Sequence, residues 1–195
     1  MCATEYESFD GAWCYGSYEG VLRRLIQVYK YERIESLAGP LGRLLSDALP
    51  RDESFDAIVP MPLHWFKNWQ RGFNQSGLLA REVGRRSGIP IVSALNRRRA
   101  TKVQAGLSLA GRKRNVQGAF AIRGGADAVR GRHLLLVDDV LTTGATANAC
   151  ARVLKRAGAR RVSILTVARA DRLSAWTPPP AAHIDSINRP GDSDR

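Results

Sequence analysis

The stretch LLLVDDVLTTGAT, residues 134–146, decides the fold of this chain. It opens with four apolar residues, a run typical of a central parallel strand that is covered on both faces. A threonine- and glycine-rich segment follows, and then a helical pattern over residues 145–157 with Gly158 as its expected C-cap. Residues 162–167 (VSILTV) predict the next strand. Strand, loop, helix and strand form a βαβ unit, so the sequence predicts an α/β fold with a parallel sheet core flanked by helices.

Two acidic residues, Asp138 and Asp139, stand at the carboxyl end of the predicted strand, where open α/β sheets bind ligands. Adjacent carboxylates are costly to bury without partners, so we expect both to face solvent or hydrogen-bond donors. The vicinal diol of a ribose is a suitable partner, because it can donate both hydroxyl protons to one carboxylate.

The residues after the two acids have the composition of a phosphate-binding segment. They supply small side chains, hydroxyl groups and a glycine at the start of the predicted helix, where free backbone N–H groups and the positive helix end hold a phosphate dianion. Acids and a hydroxyl-rich bend a few residues apart match the size of a ribose 5-phosphate. We therefore predict that a phosphoribosyl ligand is bound by Asp138, Asp139, Val140, Leu141, Thr142, Thr143, Gly144, Ala145 and Thr146.

Other phosphate and acid chemistries fit this stretch less well. A Walker-type phosphate loop ends in GK[ST], and that ending is absent here. An aspartyl-phosphate or a metal site would also use Asp138 and Asp139, but neither explains the threonines and glycine that follow. The combination favours phosphoribosyl binding.

The positive charge of the chain is concentrated in one segment. The net charge is +12, and residues 57–126 hold 13 Lys and Arg against one acid, Glu82, while the rest of the chain holds 17 residues of each sign. Such a segment is typical of a protein that binds a polyanion, either nucleic acid or a small ligand with several phosphates.

The remaining sequence predicts further helices and strands. Two amphipathic helices are indicated by apolar residues at helical spacing, and a strand is indicated at residues 57–60. Asn74 is expected to cap a helix that runs to about Ser87, and residues 91–95 predict a short strand. Residues 97–118 predict a long mobile loop, and the Pro- and Ser-rich residues from Asp171 onward predict a disordered tail. The spaced apolar residues are Leu22, Leu25, Ile26 and Tyr29, then Leu37, Leu41, Leu44 and Leu45.

Length and composition predict the environment of the protein. The 195 residues suffice for a sizeable core, and no run of about 18 apolar residues or signal pattern is present. We therefore expect a cytoplasmic protein without membrane insertion. The three cysteines, Cys2, Cys14 and Cys150, are too few and too scattered for a secreted disulfide framework.

Residues 134–146 resemble the signature of type I phosphoribosyltransferases, and further segments are similar to the ComF family, competence-associated phosphoribosyltransferase-like proteins. These segments are YEGVLRRLIQVYKY at residues 18–31 and VPMPLHWFKNWQRGFNQSGLLA at residues 59–80, with single matches farther along. The resemblance covers about residues 9–169. The single matches are Gln104, Leu107, Arg112, Asn115, Gly118, Ala119 and Phe120.

The resemblance implies a type I phosphoribosyltransferase fold with a small hood and a flexible loop, here residues 97–119, that closes over 5-phosphoribosyl-1-pyrophosphate or a nucleoside monophosphate. Mg²⁺ is expected to arrive with the ligand, bridging pyrophosphate and ribose oxygens. Lys102 and Arg112 are expected to act with Asp138 and Asp139 in catalysis by stabilising the departing pyrophosphate. The expected pyrophosphate contacts are Met61, Pro62, Leu63, His64 and Arg71.

The resemblance also predicts the division of the chain. Residues 1–50 are expected to form a helical hood segment, residues 51–170 the phosphoribosyltransferase-like domain and residues 171–195 the tail. Many family members begin with a zinc ribbon, but Cys2 and Cys14 cannot form a four-cysteine site, so we expect no zinc. Either the ribbon is lost or the true start of the protein lies upstream.

Three functions remain open from the sequence. The first is transfer of the phosphoribosyl group to an unknown acceptor, in the context of DNA uptake. The second is a sensor that binds a phosphoribosyl ligand or nucleotide without turnover. The third is binding of single-stranded DNA or DNA-uptake proteins; a dimer is plausible because exposed sheet edges often pair. Base stacking would then use aromatic side chains that alternate with Lys67 and Arg71, namely Trp65, Phe66, Trp69 and Phe73.

Overall fold

The computed structural model describes residues 8–32, 34–62, 74–98 and 118–170. In chain order its elements are β1 (Gly11–Ser17), α1 (Gly20–Tyr31), a 3₁₀ turn (Glu35–Leu37), α2 (Ala38–Asp47), β2 (Ala57–Pro60), α3 (Gln75–Ser87), β3 (Leu95–Arg97), β4 (Phe120–Ile122), β5 (His133–Leu141), α4 (Ala145–Arg156) and β6 (Arg161–Arg169).

Four of the described strands form a parallel sheet in the order β1-β6-β5-β2. The predicted βαβ unit is confirmed: β5 leads into α4, and β6 returns parallel to β5. The apolar start of β5 is fully buried, as a strand covered on both faces requires. The strand is longer than its apolar run, because pairing with β6 continues past the two acids to Leu141.

The two faces of the sheet bury separate apolar clusters. Since successive strand residues point to opposite faces, Leu134 and Leu136 pack on the side of α4, while Leu135 and Val137 pack on the side of α1, α2 and α3. The β3–β4 pair, which is antiparallel, lies on the α4 side. Because apolar clusters cover both faces of the sheet, polar groups are found mainly at its two ends.

The predicted helices are confirmed, with the residues expected to face the core. α1 buries Ile26 and Tyr29, and α2 buries Leu41 and Leu45. α3 begins after Asn74, whose side chain accepts a hydrogen bond from the Gly77 N–H at 3.2 Å. It ends at Gly88, which has the left-handed φ of 74° that favours glycine at this position.

Two predictions about strands were wrong. Residues 91–95 do not form a strand of their own: Ile91 makes an isolated parallel bridge to Ile58, and β3 starts only at Leu95. Pro90, which has no N–H, precedes the bridge and contributes only its carbonyl, to the Ile58 N–H. Arg97 was assigned to a loop but lies in β3, and β4 follows Ala119; residues 99–117 lie outside the described residues.

The described part of residues 1–50 adds one strand to this sheet and two helices that pack on one of its faces. β1, which the sequence did not predict, pairs with β6 along its length. α1 and α2 pack in the same cluster as α3. The tail from residue 171 lies outside the described residues. Within the described ranges, no helix combines the length and the apolar character that crossing a membrane requires.

A buried polar cluster closes the amino end of the sheet. His133 Nε2 lies 2.9 Å from Ser163 Oγ, and His133 Nδ1 lies 3.8 Å from Glu53 Oε2, which Arg161 also contacts. The order of serine, histidine and carboxylate resembles that of a catalytic triad, but Ser163 is fully buried, so no substrate can reach it. This cluster, which we call the amino-end cluster, therefore joins strands rather than performing chemistry.

Candidate functional site

The two acids of the signature have different neighbours. Lys30 of α1 lies beside Asp139, whereas Ser76 of α3 and Cys150 of α4 lie beside Asp138. Asp139 is buried and Asp138 is half-buried. Two adjacent residues of the same type therefore have different surroundings.

Asp138 is held at the start of α3. Its Oδ1 accepts a hydrogen bond from Ser76 Oγ at 2.8 Å and another from the backbone N–H of Asp139 at 2.9 Å. Burial and, after it, the negative charge of Asp139 raise the pKa of Asp138 to about 7, although Lys30 and the hydrogen bond from Ser76 act in the opposite direction. Asp138 can therefore gain or lose a proton near neutral pH.

Asp139 forms an ion pair with Lys30 of α1, in which Lys30 Nζ lies 2.7 Å from Asp139 Oδ1. Burial alone would lower the pKa of Lys30, but the charge of Asp139 and the hydrogen bond to it raise this pKa overall. The pair is thus a charged one. We expected both acids to face solvent or donors, and the donor for Asp139 is a side chain of the protein itself.

The segment after the acids forms the amino end of α4. Gly144 occupies the N-cap position with a φ of 69°, a left-handed conformation that residues with a Cβ avoid. No side chain caps this helix, so its first N–H groups are not satisfied by a capping residue. Thr142 is exposed and Thr143 and Thr146 are half-buried, which leaves hydroxyl groups beside those N–H groups.

Other predicted residues contribute differently or lie outside the described chain. Leu141 and Ala145 are buried and Val140 packs partly in the core, so they shape the segment through their backbone. Met61 is also buried, with its Sδ 3.4 Å from Cys150 Sγ and its N–H bonded to the Val137 carbonyl; Pro62, next to it, is buried as well. The predicted site residues outside the described chain are Leu63, His64, Arg71, Lys102 and Arg112.

Three residues near the acids were missed from the sequence: Lys30, Ser76 and Arg97. The sequence could have indicated Lys30, because it follows the buried Ile26 by four residues and so lies on the apolar face of α1. Ser76 lies one turn inside a capped helix. Burial lowers the pKa of Arg97, and Cys150 and Asp138 are close enough to oppose that effect.

Comparisons with known proteins identify the family of the chain. Residues 72–193 match the family model described as phosphoribosyl transferase domain. Competence protein F of Haemophilus influenzae is 33% identical over 87% of this chain and 77% of that protein. The DNA utilization protein YhgH of Escherichia coli K12 is 38% identical over 78% of this chain and 69% of that protein.

Among solved structures, the glutamine phosphoribosylpyrophosphate amidotransferase from B. subtilis, complexed with ADP and GMP, aligns with a TM-score of 0.47 and 22% identity. The alignment covers 67% of this chain and 26% of that longer chain.

The parallel sheet, the acids at its carboxyl end and the matching family model define a type I phosphoribosyltransferase fold. Two bacterial relatives, each more than 30% identical and matched over more than two thirds of its length, show which family within this fold the chain resembles. The chain belongs to the ComF family of competence-associated, phosphoribosyltransferase-like proteins.

Proposed function

We propose that this site binds 5-phosphoribosyl-1-pyrophosphate together with Mg²⁺, and that the protein transfers the phosphoribosyl group to an acceptor. The observation that carries the proposal is the position of the glycine-capped, otherwise uncapped start of α4 directly after two acids on a central strand. The helix start supplies N–H donors for the 5-phosphate, and Asp138 supplies acceptors for the ribose hydroxyls.

In the proposed reaction, a lone pair of the acceptor forms a bond to C1 of the ribose. The bond from C1 to pyrophosphate breaks, and its electron pair leaves with pyrophosphate. The described residues hold the sugar phosphate in place while positive charge develops at C1. The carboxylate of Asp138, when ionised, would favour that charge.

Mg²⁺ prefers oxygen ligands and keeps several of its waters, so we propose that it enters on the phosphate and ribose oxygens of the ligand. Bound there, it would neutralise charge on the pyrophosphate. Among the described residues, no three His, Cys, Asp or Glu are grouped to hold a metal. The expected absence of zinc and the pyrophosphate contacts at Leu63, His64, Arg71, Lys102 and Arg112 stay predictions.

Calorimetric titration with phosphoribosyl pyrophosphate and Mg²⁺ tests the binding step. We expect Asp138→Asn and the Asp138→Asn/Asp139→Asn double variant to bind about tenfold or more weakly than wild type, a loss of at least ~1.4 kcal/mol. Asp127→Asn is the matched control, because the Asp127 side chain is 98% exposed and lies outside the site. Equal affinity of wild type and the double variant would contradict the assignment of ribose to these acids.

Turnover is tested separately, by measuring pyrophosphate release in the presence of candidate acceptors. An enzyme releases pyrophosphate only when the correct acceptor is present, and Asp138→Asn should slow that release. A sensor would bind the ligand with the same dependence on Asp138 and release no pyrophosphate with any acceptor. The second outcome would replace the transferase with a binding protein and leave the site intact.

A role with DNA is a second proposal, which the charge distribution favours. The whole excess of +12 lies within residues 57–126, and relatives are named a competence protein and a DNA utilization protein. We propose a cytoplasmic protein that contacts single-stranded DNA through this segment. Its affinity for an oligonucleotide should fall steeply with salt, and replacing Trp65 and Trp69 should weaken it. Binding that ignores salt would rule out this contact.

A further inference from the structure

The acids of the site are connected to α1 and α3 through a ring of contacts. Asp139 Oδ1 lies 2.7 Å from Lys30 Nζ, and the carbonyl of Lys30 lies 3.5 Å from Gln75 Nε2. Ser76, the next residue, donates to Asp138 at 2.8 Å. Each acid is therefore held by a different helix, and the two helices are joined to each other.

The position of Lys30 in this ring is rigid. The preceding residue, Tyr29, is fully buried and its hydroxyl donates to the Gln75 carbonyl at 2.9 Å, which fixes the end of α1 against the start of α3. The Lys30 side chain is only 19% exposed and the Asp139 side chain 9%. An ion pair this enclosed is costly to separate, because either partner alone would be a buried charge.

The two carboxylates differ in what remains available to a ligand. Asp139 is neutralised by Lys30 on the α1 face. Asp138 has no lysine partner among its described contacts, and its described hydrogen bonds, from Ser76 Oγ and the Asp139 N–H, both go to Oδ1. The other charged or titratable groups near Asp138 are Arg97 of β3 and Cys150 of α4.

We propose that Lys30 is a positioning residue of the sugar-phosphate site: it holds Asp139 against α1, so that the ribose hydroxyls meet Asp138 alone. The inference rests on the proposed binding of phosphoribosyl pyrophosphate and assigns unequal roles to the two acids. Without Lys30, Asp139 would be a buried, unpaired carboxylate beside Asp138. It would then repel the charge on Asp138 or compete for the same donors, and both effects weaken ligand binding.

A set of four variants, titrated with phosphoribosyl pyrophosphate and Mg²⁺ well below their unfolding temperatures, tests this assignment. We expect Lys30→Met to bind about tenfold more weakly than wild type. Asp139→Asn leaves a cation rather than a second carboxylate beside Asp138, so we expect it to weaken binding less than Lys30→Met does. The double variant Lys30→Met/Asp139→Asn should return to within about threefold of wild type, because it leaves no unpaired charge.

Lys155→Met is the matched control. Lys155 Nζ lies 2.7 Å from Asp10 Oδ1, the same separation as in the Lys30 pair, but this pair joins the end of α4 to the segment before β1. Its loss is expected to leave ligand affinity unchanged. Thermal unfolding of all four variants identifies loss of folded protein, and only folded variants are compared for affinity. If Lys30→Met does not fold, the double variant and Asp139→Asn still test the unequal roles.

The outcomes separate this inference from the proposed function. Wild type that fails to bind the ligand would refute the proposed function itself. Wild type that binds, with Lys30→Met as tight as Lys155→Met, would refute the role of Lys30 alone. Loss of binding in Asp139→Asn that the double variant does not restore would show that the ligand contacts Asp139 directly, and the inference would also fall.

Discussion

At the scale of single residues, the contrast between Asp138 and Asp139 is the central feature of this molecule. Two adjacent residues of one strand are a carboxylate with a pKa near neutrality and a carboxylate paired with lysine. The cause is the alternation of a β-strand, which gives neighbours in sequence different neighbours in space. The protein can thus give one acid a lysine partner and leave the other responsive to pH.

This contrast predicts a dependence of stability on pH. Because the folded state raises the pKa of Asp138 to about 7, above its ordinary 3.8, the folded protein holds this proton more tightly than the unfolded chain. The stability from this group is complete below about pH 4 and is lost as the pH rises through about 7. Asp138→Asn cannot ionise, so its stability relative to wild type should rise by about 2 kcal/mol between pH 5 and pH 8.

Urea unfolding of wild type, Asp138→Asn and the exposed control Asp127→Asn at both pH values measures this effect. Asp127→Asn should show the same difference from wild type at pH 5 and pH 8. A constant difference for Asp138→Asn as well would mean that Asp138 is charged in the folded protein throughout this range.

The sequence located the two acids and the threonine- and glycine-rich segment after them, but not the residues that give the two acids different surroundings. Asp138, Asp139 and the residues up to Thr146 are contiguous, so their order alone indicated a site. Lys30 and Ser76 reach it from helices more than 60 positions away in the chain, through contacts that only the packing of α1 and α3 creates. A pattern within one segment cannot specify a partner from another.

At the scale of elements, the packing of α2 against α3 depends on one small residue. A Cβ at Gly42 would collide with the Cβ of Glu82 on α3, whereas a Cβ at Gly39 in the same helix would meet no atom within 4 Å. The two helices therefore approach each other over Gly42, which brings α3 and its amino end into place beside the site.

We predict that Gly42→Ala lowers the free energy of unfolding by about 1–3 kcal/mol, since the helices must separate to admit the methyl group. Gly39→Ala is the matched variant: it should leave stability unchanged or raise it by up to about 1 kcal/mol, because alanine favours helix. Chemical unfolding of both variants measures the difference. Equal effects would show that α2 and α3 are not in close contact.

Elements with a strong local pattern were predicted and those without one were not. The apolar run of β5 and the amphipathic faces of α1 and α2 indicated their structures before any contact was known. β1, with the sequence GAWCYGS, has a short apolar run between two glycines, and it is a strand because β6 supplies its hydrogen-bond partners. The short β3 depends in the same way on β4.

At the scale of the whole molecule, the two ends of the sheet have different tasks. The carboxyl end gathers the acids, Lys30 and the start of α4, while the amino end holds the buried amino-end cluster of Ser163, His133 and Glu53. Burial lowers the pKa of His133, and the charge of Arg161 acts in the same direction, so the His133 side chain is neutral near pH 7. The buried cluster that joins strands and the site of the proposed ligand binding thus lie at opposite ends of the sheet.

This separation predicts that a substitution at the amino end changes the stability of the protein without changing its affinity for the ligand. Ser163→Ala removes the hydrogen-bond partner of a buried imidazole nitrogen, so we expect it to lower stability by about 1–3 kcal/mol and to leave ligand affinity unchanged. Unfolding and titration experiments on this variant measure both quantities. A loss of affinity in folded Ser163→Ala would show that the amino end influences the site.

The pairing of β1 with β6 bears on how the protein is made. Gly11 lies opposite Ser163, so β1, the first of the described strands, stays without this neighbour until almost all of the described chain has been synthesised. Contacts between such distant parts of a chain form slowly, and the edges of the strands stay unpaired until they form. The sheet is therefore completed last along the border between its earliest and its latest strand, which is where a chaperone would be of most use.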